Sequence, residues 1–235
     1  MWLISNNTLL SDSGIFEDFC DCHCHLLPGV DDGVKEQDET LCILETWESL
    51  GVREVWMTPH IMEDIPNGTG DLKERFQQFQ SVYTGRLDLH LAAENMLDGL
   101  FLQRLDDRDL LTLGVVGNRL LVETSYFNPP MGMEGIMEKI KETGYTPVLA
   151  HPERYQYMDM KHYTKWKNMG VLFQLNIPSL VGAYGIDVQK KAETLLHKNM
   201  YDLCGSDIHS ARAMDFMLNS KISKKTVKAV KQIQK

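Results

Sequence analysis

The stretch Phe19-Cys20-Asp21-Cys22-His23-Cys24-His25 opens on an aromatic residue and closes on two imidazoles one residue apart. An extended strand sends successive side chains to opposite faces. Asp21, His23 and His25 therefore fall on one face, and Cys20, Cys22 and Cys24 on the other. Two imidazoles on one strand face can grip a single cation while the thiols are directed into packing. A His-x-His pair standing alone is more often a core or surface pair, so its weight depends on the rest of the chain.

Six further short apolar runs follow, at 54–60, 89–94, 120–123, 146–151, 170–176 and 202–207. Each has the length of a buried strand. Helical patterns lie between them. Residues 35–50 place Leu41, Leu44 and Trp47 three apart and end at Gly51, a glycine suited to a helix C-terminus. Residues 71–83 space Leu72, Phe76 and Phe79 on one face, 134–143 stop at Gly144, and 188–198 repeat the theme. A short helix is expected within 100–111. Strands alternating with helices imply right-handed crossovers and a parallel sheet. About seven such units predict a closed or nearly closed barrel, and periodicity alone also allows an open, doubly wound sheet. With no internal repeat or linker-like tract, residues 1–235 read as a single domain.

The bulk composition narrows the function classes. The chain has 235 residues, 43% hydrophobic, enough for one sizeable core. No run of 18 or more apolar residues suggests a membrane span, and the first residues lack a basic, apolar leader, so the expected location is cytoplasmic. The five cysteines form no CxxC pair and read as small buried thiols of a reducing compartment. A formal net charge of −9 argues against nucleic acid held through its phosphates. The basic tail, Lys221 to Lys235, reads as a solvated helix face.

The ends of the runs carry the chemistry. They hold His23 and His25, His60, Glu94, Glu123, His151, and Asp207 with His209 just beyond. In a parallel barrel the C-terminal strand ends converge on one face, where active sites are built. Five imidazoles and three carboxylates suit Zn, Mn or Fe, and exceed what one tetrahedral ion needs, so two or three divalent cations are expected. Glu94 and Glu123 are natural bridging ligands. Asp32 is a further candidate ligand, with a turn-forming or indirect role equally open, and Asp31 reads as turn chemistry. Three divalent ions bring roughly +6 against about −3 from the carboxylates, a cationic pocket suited to a phosphate dianion. Arg154, three residues after His151, can offer a planar fork to phosphoryl oxygens, with a surface ion pair to Glu153 as the bland alternative.

These motifs occur in a set order: the His-x-His stretch running on to Val30-Asp31-Asp32-Gly33, then Thr58-Pro59-His60, Ala93-Glu94, Val122-Glu123, His151-Pro152-Glu153-Arg154-Tyr155 and Gly205-Ser206-Asp207-Ile208-His209. The set resembles the PHP (polymerase and histidinol phosphatase) superfamily. Within it, the chain is most similar to the tyrosine-protein phosphatases of bacterial capsule and exopolysaccharide loci. The resemblance covers about residues 19 to 210. It implies a distorted (β/α)7 TIM-like barrel, a trinuclear metal site and dephosphorylation of a bacterial tyrosine kinase tail. It also implies that His23, His25, His60, Glu94, Glu123, His151, Asp207 and His209 are ligands and that Arg154 binds phosphate. Arg212 is the one candidate for a second phosphate-binding arginine, and the 174–185 segment is expected to shape the rim.

The reaction expected is in-line hydrolysis by a hydroxide held between cations, with His151, Asp207 and Arg154 at the reacting centre and no protein nucleophile. Cys22 and Cys24 lack the arginine-rich loop of cysteine-based phosphatases. Two alternatives remain open: a small-molecule phosphatase, such as one acting on histidinol phosphate, and a non-catalytic, metal-stabilised interaction domain.

Overall fold

The computed structural model describes residues 6–114 and 116–233. Residues 1–5, part of the segment read as lacking a leader, and Lys235 of the basic tail lie outside that range. In chain order, β1 (Asn7–Leu9) precedes β2 (Cys20–Cys24), α1 (Gln37–Ser49), β3 (Glu54–Met57), β4 (His60–Ile61) and α2 (Thr69–Val82). There follow β5 (Asp88–Leu91), β6 (Glu94–Met96), α3 (Gly99–Asp107), β7 (Arg119–Glu123), α4 (Met133–Glu142) and β8 (Thr146–Ala150). The order ends with α5 (Met160–Asn168), β9 (Leu172–Asn176), α6 (Ile186–His197), β10 (Leu203–Gly205), α7 (Ala211–Leu218), β11 (Lys221–Ser223) and α8 (Lys224–Ile233).

The result is a mixed α/β fold around curled parallel sheet. One sheet runs β10-β9-β8-β7-β6-β4 and the other β2-β3-β5, with every pairing in both parallel. Backbone bonds join the two: Asp207 N–H donates to His23 O at 2.7 Å and His25 N–H to Ile208 O at 3.0 Å.

Two of the expected strands are each broken in two before their site residues. The run 54–60 breaks after Met57 and resumes at His60; the run 89–94 breaks after Leu91 and resumes at Glu94. Pro59 has no N–H to continue a ladder, which accounts for the first break. The second falls in step with it, since β4 and β6 pair with His60 opposite Glu94. Through these breaks each strand leaves the sheet of β2 and joins that of β7.

Strand alternation separates two apolar clusters. Leu120, Val122 and Leu149 pack into the larger one with the helices, whereas Leu121, Val148 and Ala150 join a smaller one with Trp56, Ala92 and Leu113. Leu121 and Glu123 share a face, so the smaller cluster underlies the polar site. Helix α4 shows the complementary pattern: Met133, Ile136, Met137 and Ile140 are buried at spacings that form one helical stripe. At the end of α1, Gly51 takes φ +86, a left-handed turn suited to glycine.

The expected alternation along β2 is corrected. Asp21 pairs with Val55 but Cys24 pairs with Met57, so β2 carries one extra residue in between. Cys20 packs against the smaller cluster while Cys24 lies in the larger, and the three cysteines do not share one face. All five cysteines are free, and Cys42 is exposed rather than buried. The antiparallel pair β1–β11 and the helices α5 and α7 add elements that the pattern of runs did not predict.

Candidate metal centre

The structure brings together the eight residues from the strand ends. Donor atoms within 4.8 Å of one another form three overlapping groups: His23, His25, Glu94 and Asp207; His60, Glu94 and Glu123; and His25, Asp32, His60 and His209. Glu94 is common to the first two groups, His25 to the first and third, and His60 to the second and third. His151 joins through Nε2, 2.9 Å from Glu94 Oε1 and 3.9 Å from Glu123 Oε2. His23, His25, Glu94 and His151 are essentially inaccessible to solvent, whereas the His209 side chain is 31% exposed at the mouth. Its ring stacks on His25 at 4.0 Å.

Backbone conformation aims two of these side chains. His151 and Asp207 adopt φ +33 and +51, conformations that residues other than glycine rarely take and that cluster at functional sites. Each follows a parallel strand, β8 or β10, and turns the chain at the strand end.

The donor set fits divalent cations. His23 Nε2 and His25 Nε2 stand 3.1 Å apart, two ring nitrogens converging on one point. His60 Nδ1 and Glu94 Oε2 are buried, lie 3.3 Å apart, and among the described residues have no partner in well-formed hydrogen-bond geometry. Buried polar atoms normally find partners, and a cation would satisfy both. Mixed imidazole and carboxylate ligation suits Zn, Mn or Fe.

Surrounding groups hold the imidazoles. Asp31 Oδ2 lies 2.7 Å from His25 Nδ1 and also accepts the His60 N–H at 2.9 Å. Gln174 Oε1 meets His23 Nδ1 at 3.0 Å and the His151 N–H at 3.2 Å. Such partners fix the ring and tautomer of metal-binding histidines. Asp31 is therefore more than turn chemistry, and Gln174 is fully buried beneath the site rather than on its rim. The signal for Gln174 was available as an amide flanked on both sides by apolar residues in Leu172-Phe173-Gln174-Leu175. Asp32 has a side chain 62% exposed, with Oδ1 3.5 Å from His60 Nε2 and from His209 Nε2. Asp21 is in none of the three donor groups; its carboxylate accepts Ser206 N–H at 2.8 Å and Ser206 Oγ–H at 2.5 Å.

Charge is concentrated here. Burial opposes protonation of His23, but Glu94 and Asp207 outweigh it and push the imidazole up to about 9. Burial likewise opposes ionisation of Asp207, and His23, His25 and Arg154 hold it well below the usual carboxylate range.

Arg154 does not pair with Glu153. Its Nη1 donates to Asp207 Oδ2 at 2.6 Å, and its guanidinium carbon lies over the rings of both Tyr126 and Tyr184, 4.5 and 4.2 Å from their centroids. Glu153 is buried and accepts from Asn176 N–H at 3.1 Å and Tyr201 OH at 2.9 Å. Arg212 is exposed at the start of α7, and among the described residues no hydrogen bond or ion pair ties it to the cluster.

Known proteins match most of this chain. CapC from Staphylococcus aureus is 26% identical over 218 residues, covering 89% of this chain and 84% of that protein. The tyrosine-protein phosphatase YwqE from Bacillus subtilis is 26% identical over 202 residues, covering 83% and 79%. The tyrosine-protein phosphatase CpsB from Streptococcus pneumoniae is 26% identical over 204 residues, covering 81% and 82%. A chain from the crystal structures of YwqE and CpsB from those two organisms, described as unique metal-dependent tyrosine phosphatases, shares the fold with TM-score 0.78 at 24% identity. It covers 91% of this chain and 86% of its own length. The family model for capsular polysaccharide synthesis proteins CpsB/CapC matches residues 19–232, and the chain belongs to that family.

Proposed function

We propose that the chain is a metal-dependent phosphatase acting on phosphotyrosine in protein. The three overlapping donor groups with Arg154 hydrogen-bonded to one of their members carry the reading. The relatives named as tyrosine-protein phosphatases support the substrate class. The proposed target is the tail of a cognate bacterial tyrosine kinase in capsular or exopolysaccharide synthesis, encountered in the cytoplasm. No described helix is long and apolar enough to cross a membrane. On this reading the two parallel sheets, joined through β2 and the chain after β10, form one distorted (β/α)7 barrel and one domain.

His23, His25, His60, Glu94, Glu123, His151, Asp207 and His209 would hold two or three cations, Mn, Fe or Zn, with Asp32 as a further ligand at the exposed edge. When bound, the cations supply electrostatic stabilisation of phosphoryl oxygens and lower the pKa of water. The chain's own residues do the rest. Arg154 presents in-plane N–H donors to the phosphoryl group, complementing charge that spreads over its oxygens in an in-line displacement. Asp31 and Gln174 keep His25 and His23 in fixed orientation. A phenolate, with a parent pKa near ~10, leaves without strong help from a general acid. Burial holds the Cys22 and Cys24 thiols well above their ordinary range, which supports a reaction without a thiol nucleophile. Arg212 is the remaining candidate for a second phosphate contact.

A protein substrate is favoured over a small molecule by the mouth. Phe127, Met131 and Ile186 are 64%, 98% and 60% exposed, in the two segments that supply Tyr126 and Tyr184. Large exposed apolar side chains beside a polar site suit contact with a peptide. The test compares turnover of phosphotyrosine peptides, p-nitrophenyl phosphate and histidinol phosphate by protein whose metal content has been measured. Preference for histidinol phosphate would replace the proposed substrate; no turnover of any ester by metal-replete protein would leave an interaction domain.

A further inference from the structure

We infer that Tyr126 and Tyr184 form an aromatic clamp that positions Arg154 to read the phosphoryl group alone and keeps it from touching the rest of the substrate. The inference rests on the phosphatase reading for its kinetic consequences, but its geometry stands apart from it.

Arg154 follows His151 by one turn of 3-10 helix, Pro152–Arg154, and its side chain is only 16% exposed. The guanidinium carbon lies 4.5 Å from the Tyr126 ring centroid and 4.2 Å from that of Tyr184. The cation is therefore packed over two rings at once. Each contact is an attraction between cation and ring quadrupole, strengthened by partial desolvation. In the plane, Nη1 is engaged with Asp207 Oδ2 at 2.6 Å. What remains is the other in-plane N–H edge, the geometry that suits two phosphoryl oxygens.

The rings are themselves held. Asn176 Nδ2 donates to the Tyr184 hydroxyl at 3.3 Å, and the same amide donates to Asp207 Oδ2 at 3.1 Å. The carbonyl of Tyr126 accepts the Gln156 N–H at 2.8 Å, and its ring stacks on Tyr155 at 6.1 Å. The clamp thus ties the loop after β7 and the loop before α6 to one arginine. With two rings already packed on a cation whose side chain is only 16% exposed, little of Arg154 is left for a phosphotyrosine ring to stack on. Discrimination for an aryl ester must come from elsewhere at the mouth, and the clamp should act equally on any phosphate monoester.

The experiment uses Tyr126→Leu, Tyr184→Leu and the corresponding Phe variants of the full chain. A guanidinium packed over two rings carries upfield ring-current shifts on its side-chain protons, identified by their disappearance in Arg154→Lys. The shift should shrink in each Leu variant and persist in each Phe variant. In metal-replete protein, kcat/KM for p-nitrophenyl phosphate and for an alkyl phosphate should fall together by about tenfold in the Leu variants, with rescue by Phe. An Arg154 resonance without an upfield shift, or unmoved by both Leu variants, would overturn the clamp. A loss confined to the aryl ester would overturn it too, making the tyrosines contacts to the substrate ring. If the unmodified protein hydrolyses neither ester, the phosphatase reading fails while the resonance still decides the clamp.

Discussion

His25 Nδ1 lies 2.7 Å from Asp31 Oδ2, and the same carboxylate oxygen takes the His60 N–H at 2.9 Å, so one side chain orients two candidate ligands. The buried imidazole beside it holds Asp31 well below the usual carboxylate range even though burial opposes ionisation. Asp31→Ala should therefore weaken divalent cation binding by about 10- to 100-fold, the usual effect of removing such a partner. Metal titration of chelator-treated protein measures this. Cation affinity matching that of the unmodified protein would reduce Asp31 to a turn residue.

Arg154 and His151 are three residues apart but should fail differently. His151→Ala removes a nitrogen 2.9 Å from Glu94 and should lower both metal content and turnover. Arg154→Ala should retain the metals yet lose about 10²- to 10³-fold in kcat, the scale of losing one charge-stabilising donor. Elemental analysis alongside phosphotyrosine peptide kinetics separates them. Equal metal loss in both would show that the Arg154–Asp207 pair holds the cluster together.

The site was more legible than the fold that builds it. Imidazoles and carboxylates seldom gather at strand ends by chance, so His23, His25, His60, Glu94, Glu123, His151, Asp207 and His209 stand out in the sequence itself. The groups that orient them were harder. Asp31 sits in a turn rich in turn-forming residues, where one carboxylate looks like another, and only the structure shows Asp31 buried and Asp32 outside. Arg154 was recognised for its fork, but the facing Tyr126 and Tyr184 come from loops distant in sequence, and periodicity says nothing about loops.

Errors in the fold have physical causes too. The extra residue in β2 and the breaks before His60 and Glu94 depend on register between strands, which no single run encodes. Helices α5 and α7 are short, nine and eight residues, so their apolar stripes are brief. Their N-caps, Asp159 and Ser210, were readable signals, each accepting backbone N–H groups of the first turn.

Metal and protons should compete at His23. In the metal-free protein its imidazole is pushed up to about 9 from an ordinary 6.5, despite burial, by Glu94 and Asp207. The folded chain thus holds a proton that the unfolded chain releases between those values. Its stabilising contribution is complete below pH 6.5 and is lost as pH climbs through 9. Metal-free protein should melt at progressively lower temperature from pH 7 toward 9.5. Over the same window cation affinity should rise and uptake should release protons. Calorimetry in two buffers of different ionisation enthalpy detects that release. Cation binding with no proton exchange across the window would contradict the assignment.

Gly205, the last residue of β10, packs closely against β2. A Cβ there would sit 2.5 Å from His23 Cβ, 2.8 Å from Gln174 Nε2 and 3.0 Å from the His23 nitrogen. Neither His23 nor Gln174 is free to give way, because each is buried and the two are hydrogen-bonded at 3.0 Å. Gly205→Ala should destabilise the fold by about 1–3 kcal/mol, as overpacking does, and should also displace the His23 ring and weaken cation binding. Gly135 in α4 is the counterpart: an added Cβ meets nothing within 4 Å, and Gly135→Ala should stabilise by about 0.5–1 kcal/mol. Denaturant unfolding of the two metal-free variants gives opposite signs if His23 is wedged against β10. A Gly205→Ala protein as stable as the parent, with cation affinity intact, would show that β2 and β10 can separate without disturbing the site.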